Sequence, residues 1–298
     1  MFLRAFCVSL LMLAVSGSQP AGGQAVECPR LAVSVNLEKF IVGERFGGKQ
    51  QGEVDTGKGL ILKMEPLGGG EPGARLTAWY QNASIIEFIT KGWFSGFSRQ
   101  EAGPVTYWLV EDYSGGAHCC TSHHFFCQPH PQAAVRFLGT INLGHADPTY
   151  YQEQLSCKDG MVYHKDFDGR FAYFLTGFAM SGAMFFPRFH RLTPEGISLI
   201  NQQFKEVYLD EIKEINQRIS EEAASRGAKK PALFNERGDF TDDLGVLLAA
   251  RTIYYLCARE DDTAWQSLAE GVQRYYQSSR GLDSLKREII KEMQSQPY

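Results

Sequence analysis

The chain has 298 residues, with 30 Lys and Arg against 34 Asp and Glu, a net charge of −4. Apolar residues make up 44% and charged residues 21%, a balance that suits a folded chain with a sizeable core and excludes wholesale disorder. Mild acidity without a basic cluster argues against a nucleic-acid partner.

The first residues, "MFLRAFCVSLLMLAVSGSQPAGGQA", have the three parts of a secretory signal: Arg4, an apolar core from Ala5 to Val15, and a small-residue tail. That core is too short to span a bilayer, so residues 1–25 are expected to be a signal peptide, cut between about Gly17 and Ala25. Neither Cys7 nor Cys28 follows a Leu-Ala-Gly triplet, and no lipid anchor is expected. A cut at Ala25 removes only Arg4 among charged residues and leaves 29 basic against 34 acidic side chains, net −5. No other stretch is apolar enough for a membrane span, so a soluble exported product is expected.

Residues 26–192 predict an antiparallel β domain: a sandwich, a barrel or propeller-like blades. The runs "RLAVSVN", "GLILKME", "RLTAWYQ", "SIIEFIT", "VTYWLVE", "AAVRFLG", "MVYHKDF" and "RFAYFLTGF" are short, β-branched and aromatic, and are separated by Gly, Pro, Asn and Asp. The period then changes. Ile200, Phe204, Tyr208, Ile212, Ile215 and Ile219 fall three or four apart on one helical face. "FTDDLGVLLAARTIYYLCAR" predicts a second helix with Thr241 as N-cap and Asp242 and Asp243 in its first turn. Trp265, Leu268, Val272 and Tyr275 form a third stripe, and Leu282, Leu285, Ile289 and Met293 a fourth. Residues 193–298 are therefore expected to form a bundle of about four helices, packed on itself or on the β domain. The whole is an α+β chain.

The densest chemistry is "EDYSGGAHCCTSHHFFCQPH", residues 111–130. "VTYWLVEDY" and "HCCTSHHFFC" look like two strands of a hairpin, with Gly115 and Gly116 in the turn. Strand alternation would put His118, Cys120 and His124 on one face, and Cys119, His123 and Cys127 on the other. Residues four apart on a strand lie about 13 Å apart, so a regular strand cannot wrap one metal ion. A metal site would need a bent loop or ligands from elsewhere, such as His130, His145 or His164. A thiol nucleophile at Cys119 or Cys120 beside His118 is a further reading. "DYSGG" and "AMSGA" lack the full G-x-S-x-G elbow of a serine hydrolase. In an oxidising compartment, disulfides among Cys28, Cys119, Cys120, Cys127, Cys157 and Cys257 are the expected state, with 15 possible pairings. Adjacent Cys119 and Cys120 face opposite ways, which favours separate partners, and Cys257 in an apolar helix is alternatively a buried thiol.

"YSGGAHCCT", then "DGRFAYFLTGFAMSGAMFFPRFHRL", then "LGVLLAARTIYYLCAREDDTAWQSL" resemble exported bacterial proteins of uncharacterised function with a SGGAHCC signature, some carrying integrin-like FG-GAP-type segments. The resemblance covers roughly residues 100–275. It implies a β domain followed by helices, a periplasmic or secreted setting, and no particular reaction. Relatives commonly carry a compact D-x-D-G-D-G run. Here Asp159, Asp166 and Asp168 are spread along "KDGMVYHKDFDGRF", weak ground for calcium, which takes six to eight oxygen ligands. Asp-Gly at 159–160 and 168–169 suits ordinary turns.

The expectation is thus an exported, non-catalytic binding or interaction protein, stapled by disulfides, with no cofactor and no identifiable partner. Ser114, Gly115, Gly116 and His118 would form its binding or structural hairpin. The alternatives are a hydrolase using His118 with Asp112 or Ser114, a metal protein, or a redox dithiol at Cys119–Cys120.

Overall fold

The computed structural model describes residues 33–36, 52–68, 73–113, 120–144, 155–176 and 184–295. Residues 1–25, Cys28, Ser114, Gly115, Gly116, His118, Cys119 and His145 lie outside the described residues.

Three antiparallel sheets are followed by four helices, an α+β arrangement. The first sheet is a meander of β2 (Gly52–Asp55), β3 (Leu60–Pro66), β4 (Ala74–Tyr80) and β5 (Ala83–Thr90). The second is a meander of β6 (Trp93–Ala102), β7 (Val105–Tyr113), β8 (Thr121–Gln128) and β9 (Arg136–Gly144), with β1 (Val33–Asn36) added to its β6 edge. The third is a meander of β10 (Leu155–Lys158), β11 (Met161–Asp168), β12 (Phe186–Thr193) and β13 (Gly196–Leu199). The helices are α1 (Lys205–Arg226), α2 (Asp243–Cys257), α3 (Asp261–Tyr275) and α4 (Leu282–Ser295). None of the described helices is long and apolar enough to cross a membrane.

Turn chemistry sets the register. Gln81 and Asn82, and again Asp159 and Gly160, have positive φ at both central positions of two-residue hairpins closed by Tyr80–Ala83 and Lys158–Met161. Those are the residue types and angles that match the twist of paired strands. The Asp-Gly at 159–160 is therefore a turn. That at 168–169 instead opens a 3₁₀ turn, Gly169–Tyr173, where Asp168 accepts the Arg170 N–H at 3.0 Å.

The second sheet is the middle layer. One of its faces packs Phe94, Phe97, Trp108, Val110 and Phe126 against Leu60, Leu62, Leu76 and Ala78 of the first sheet. The other packs Tyr107, Leu109, Phe125 and Cys127 against Leu155, Val162 and Leu192 of the third. Alternation along β7 thus feeds two cores. This is why "VTYWLV" reads as a continuous apolar run and not as a one-sided strand. The outer face of the third sheet, with Tyr163 and Phe189, receives the helices in one further core that also takes in Phe186. The helical segment packs on the β layers as well as on itself.

α2 is buried nearly all round, and α1 presents Tyr208, Ile212, Ile215 and Ile219 to the core. The cap of α2 corrects the sequence expectation. Asp242 occupies the N-cap and accepts the Gly245 N–H at 3.2 Å, while Thr241 lies outside and exposed. Asp242 also accepts from Tyr276 Oη at 2.5 Å and from Arg226 at 2.6 Å, so it ties α1, α2 and the end of α3 together. Asp242→Ala is expected to cost about 1–2 kcal/mol in urea unfolding, and Thr241→Ala under about 0.5 kcal/mol. Equal costs would contradict this cap.

One further expectation is corrected. "RFAYFLTGF" is not a strand: its described part is the 3₁₀ turn, where Arg170 folds back on Asp168 and donates to the Glu292 carbonyl at 3.0 Å. β6, with the sequence "WFSGFSRQEA", is a full strand that hydropathy hides, because polar residues and Gly96 interrupt it at a bulge.

Candidate buried polar site

The residues beside the hairpin form a polar island between the second and third sheets. Three cross-strand registers assemble it: Glu111 opposite His123, His164 opposite His190, and Asp166 opposite Arg188. Glu111 and His123 continue the inward face of Leu109 and Phe125, while His164 and Asp166 continue that of Val162. The pleat then brings the two sheets' polar ends together.

At the centre, His123 Nδ1 lies 2.9 Å from His164 Nε2, a contact in which one ring donates and the other accepts. Asp166 Oδ1 accepts from Arg188 Nε at 2.8 Å. Its Oδ2 lies 3.1 Å from His190 Nε2 and 3.8 Å from His164 Nε2. Glu111 Oε2 is 3.8 Å from His123 Nε2, and Glu111 Oε1 accepts from Ser95 Oγ at 2.5 Å. His123, His164 and Asp166 are each 0% exposed, and Glu111 and Arg188 each 5%. His190 lies at the margin of the island, its side chain 12% exposed.

Burial governs the electrostatics. Loss of hydration, with His164 alongside, pushes the His123 imidazole well below the usual 6.5, and the Asp166 carboxylate only partly opposes this. For Asp166 itself, burial acts to raise the pKa. Arg188, with His190 and His164, outweighs burial and holds the carboxyl well below the usual carboxylate range. The island therefore holds an ionised Asp–Arg pair beside a neutral His123.

A smaller island occupies the opposite face of the second sheet. His124 stacks on Phe88 at 3.9 Å, hydrogen-bonds Thr140 Oγ1 at 2.8 Å and lies 3.7 Å from Asp112. His123 and His124 thus point to opposite faces, as strand alternation requires. His130 is exposed and reaches only Gln132. Of the histidines suggested as distant ligands, His164 meets the β8 strand, and His145 lies outside the described residues. Still, among the described residues no three His, Cys, Asp or Glu side chains are grouped to hold a metal ion. Asp159 sits in its turn, Asp166 serves Arg188 and Asp168 serves Arg170, whose guanidinium it grips with both oxygens.

The cysteines divide. Cys120 and Cys157 are disulfide-bonded. Cys127 and Cys257, both candidates for bridging, are instead free and buried. Cys127 packs in the core between the second and third sheets, and Cys257 in the helical core. Burial pushes the Cys127 thiol up to about 11 and raises Cys257 as well, so neither is a nucleophile at neutral pH.

A cavity of about 530 Å³ lies away from the island, between the loop after β13 and helices α2, α3 and α4. Its walls include Leu199, Asn201, Leu256, Trp265, Ile290 and Met293. The size is in the range of small-molecule sites, and the walls also include Asp261 and the Cys257 thiol, which burial keeps protonated.

Fold and site together define a three-sheet α+β protein with a buried polar seam between two of its layers. The chain matches no family model, no curated protein and no solved structure.

Sequence patterning missed Arg188, His190 and Asp166 as one unit. The available signal was polar residues at period two, His164-x-Asp166-x-Asp168 and Arg188-x-His190, in strands that also carry apolar residues on both faces.

Proposed function

We propose that this is an exported, non-catalytic binding or interaction protein whose β layers are reinforced by disulfides. One observation carries the non-catalytic part: the convergent acid, base and guanidinium groups are buried between sheets, with His123, His164 and Asp166 each 0% exposed. Catalysis needs its proton-transfer groups within hydrogen-bond reach of a reacting atom. The helical-side cavity offers a concave surface for a ligand. Assay of the natively made protein against ester, phosphoester, glycoside and peptide substrates should give rates equal to buffer. Turnover that disappears in Asp166→Asn would overturn the proposal.

Export and stapling are tested together by counting thiols. With Cys127 and Cys257 free, the cysteines left after removal of the leader are Cys28, Cys119, Cys120 and Cys157, which allow three pairings. Alkylation of the native, unreduced protein is expected to label nothing. Unfolding without reductant should expose two thiols, and reduction six. An intact leader, or labelling of Cys28 and Cys119 before reduction, would contradict the exported, stapled state.

A further inference from the structure

We propose that the His123–His164 pair is an acid-sensitive latch that holds the second and third sheets together. The contact crosses the interface between two separate meanders, one ring from β8 and the other from β11, and both rings are wholly buried. At 2.9 Å, one nitrogen must present a lone pair to the other's N–H. If both rings carry a proton on the facing nitrogens, two N–H groups point at each other and the contact is lost.

The charged and titratable groups facing the pair come from four strands, while β9 and β10 place Ile141 opposite His123 and Leu155 opposite His164. β7 contributes Glu111 to His123, β11 contributes Asp166 to His164, and β12 contributes His190 and the guanidinium of Arg188. His124 of β8 adds a further imidazole on the far face. Asp166 attracts a second proton, but Arg188 already binds its Oδ1, and His164 repels charge on His123. Two neutral-pH conditions therefore keep the latch shut: His123 uncharged, and the Asp166–Arg188 pair intact.

The sign follows from linkage. His123 binds its proton less readily in the closed state than in water, where the ordinary value is 6.5, so the open state takes up a proton first as pH falls. Closure is at full strength above pH 6.5. Below it, the equilibrium constant for opening should rise up to tenfold per pH unit. Asp166 makes the opposite kind of contribution and sits in another window. Its pKa is lowered from 3.8, so its stabilisation persists until well below pH 4. The interval from pH 6.5 to 4 isolates the histidines. In the exported setting proposed above, the acidity of the medium acts on the rings through the open state of this joint.

Native-state amide exchange at pH 7, 6, 5 and 4.5, corrected for the intrinsic pH dependence of exchange, tests the latch in the whole chain. Protection in β8 and β11 should fall about tenfold per unit below pH 6.5, while α2 in the helical core keeps its protection. His123→Asn, which keeps an amide near the Nδ1 position and does not titrate, should flatten that slope. Constant protection of β8 and β11 down to pH 4.5 would overturn the proposal. So would equal loss in α2, which means global acid unfolding. If His123→Asn does not fold, the wild-type comparison of β8 with α2 decides alone.

Discussion

Asp166→Ala is expected to destabilise the protein by about 3–5 kcal/mol, the cost of leaving a buried charge without its partner. Asp166 is 0% exposed, and the Arg188 guanidinium it accepts from is almost as deeply placed. Alanine removes the carboxylate that accepts from the Arg188 guanidinium at 2.8 Å. Against a total stability of about 5–15 kcal/mol for an ordinary domain, that is a large fraction, and reduced soluble yield should accompany it. Urea unfolding followed through the four tryptophans gives the measurement. Removing both partners should be less harmful than removing one. Asp166→Leu with Arg188→Met puts apolar volume where the pair stood, and should recover much of the loss. A single-variant cost under about 1 kcal/mol would show that Arg188 reaches solvent, and the seam would not be buried.

Trp108→Ala should cost a similar amount, about 3–5 kcal/mol, for a different reason. Trp108 is 0% exposed in β7 of the middle sheet and packs against the first sheet, so truncation opens a cavity between two layers that cannot collapse independently. Its indole Nε1–H has no hydrogen-bond partner among the described residues, itself a penalty of about 1–3 kcal/mol. Trp108→Phe removes that donor and keeps most of the packing, and should therefore cost far less than the alanine variant. Ile89, 59% exposed on the edge strand β5, is the control: Ile89→Ala should change stability by under about 0.5 kcal/mol. If Trp108→Phe costs as much as Trp108→Ala, the indole nitrogen has a partner and the middle layer is less dry than described here.

The order of β runs followed by helices was legible because each kind of element carries its own period. The Ile212, Ile215 and Ile219 stripe predicts α1, and the Leu285 and Ile289 stripe predicts α4, because helices on a core bury one face. Stacking of three meanders was not legible. A strand in a middle layer buries both faces, so "VTYWLV" says how deeply β7 lies but not what covers it. β11 shows the converse difficulty. In "MVYHKDFD" the inward face carries Val162, His164, Asp166 and Asp168, while the other carries Met161, Tyr163, Lys165 and Phe167. Hydropathy alone would turn that strand the other way, because what holds its buried face is cross-strand charge pairing, which is decided by register. Position 242 took the cap from Thr241 for a comparable reason. Both residues suit an N-cap, and only the tertiary partners Arg226 and Tyr276 choose between them.

The central structural claim is that the histidine seam is closed to water, and exchange of the imidazole C2 hydrogen with deuterated solvent tests it ring by ring. In the folded protein at pH 7.5, exposed His130 should exchange at the rate of a free peptide, while His123 and His164 retain their hydrogens over the same days. Exchange of His123 as fast as His130 would mean that water enters between the second and third sheets, and would restore a catalytic role to the groups gathered there.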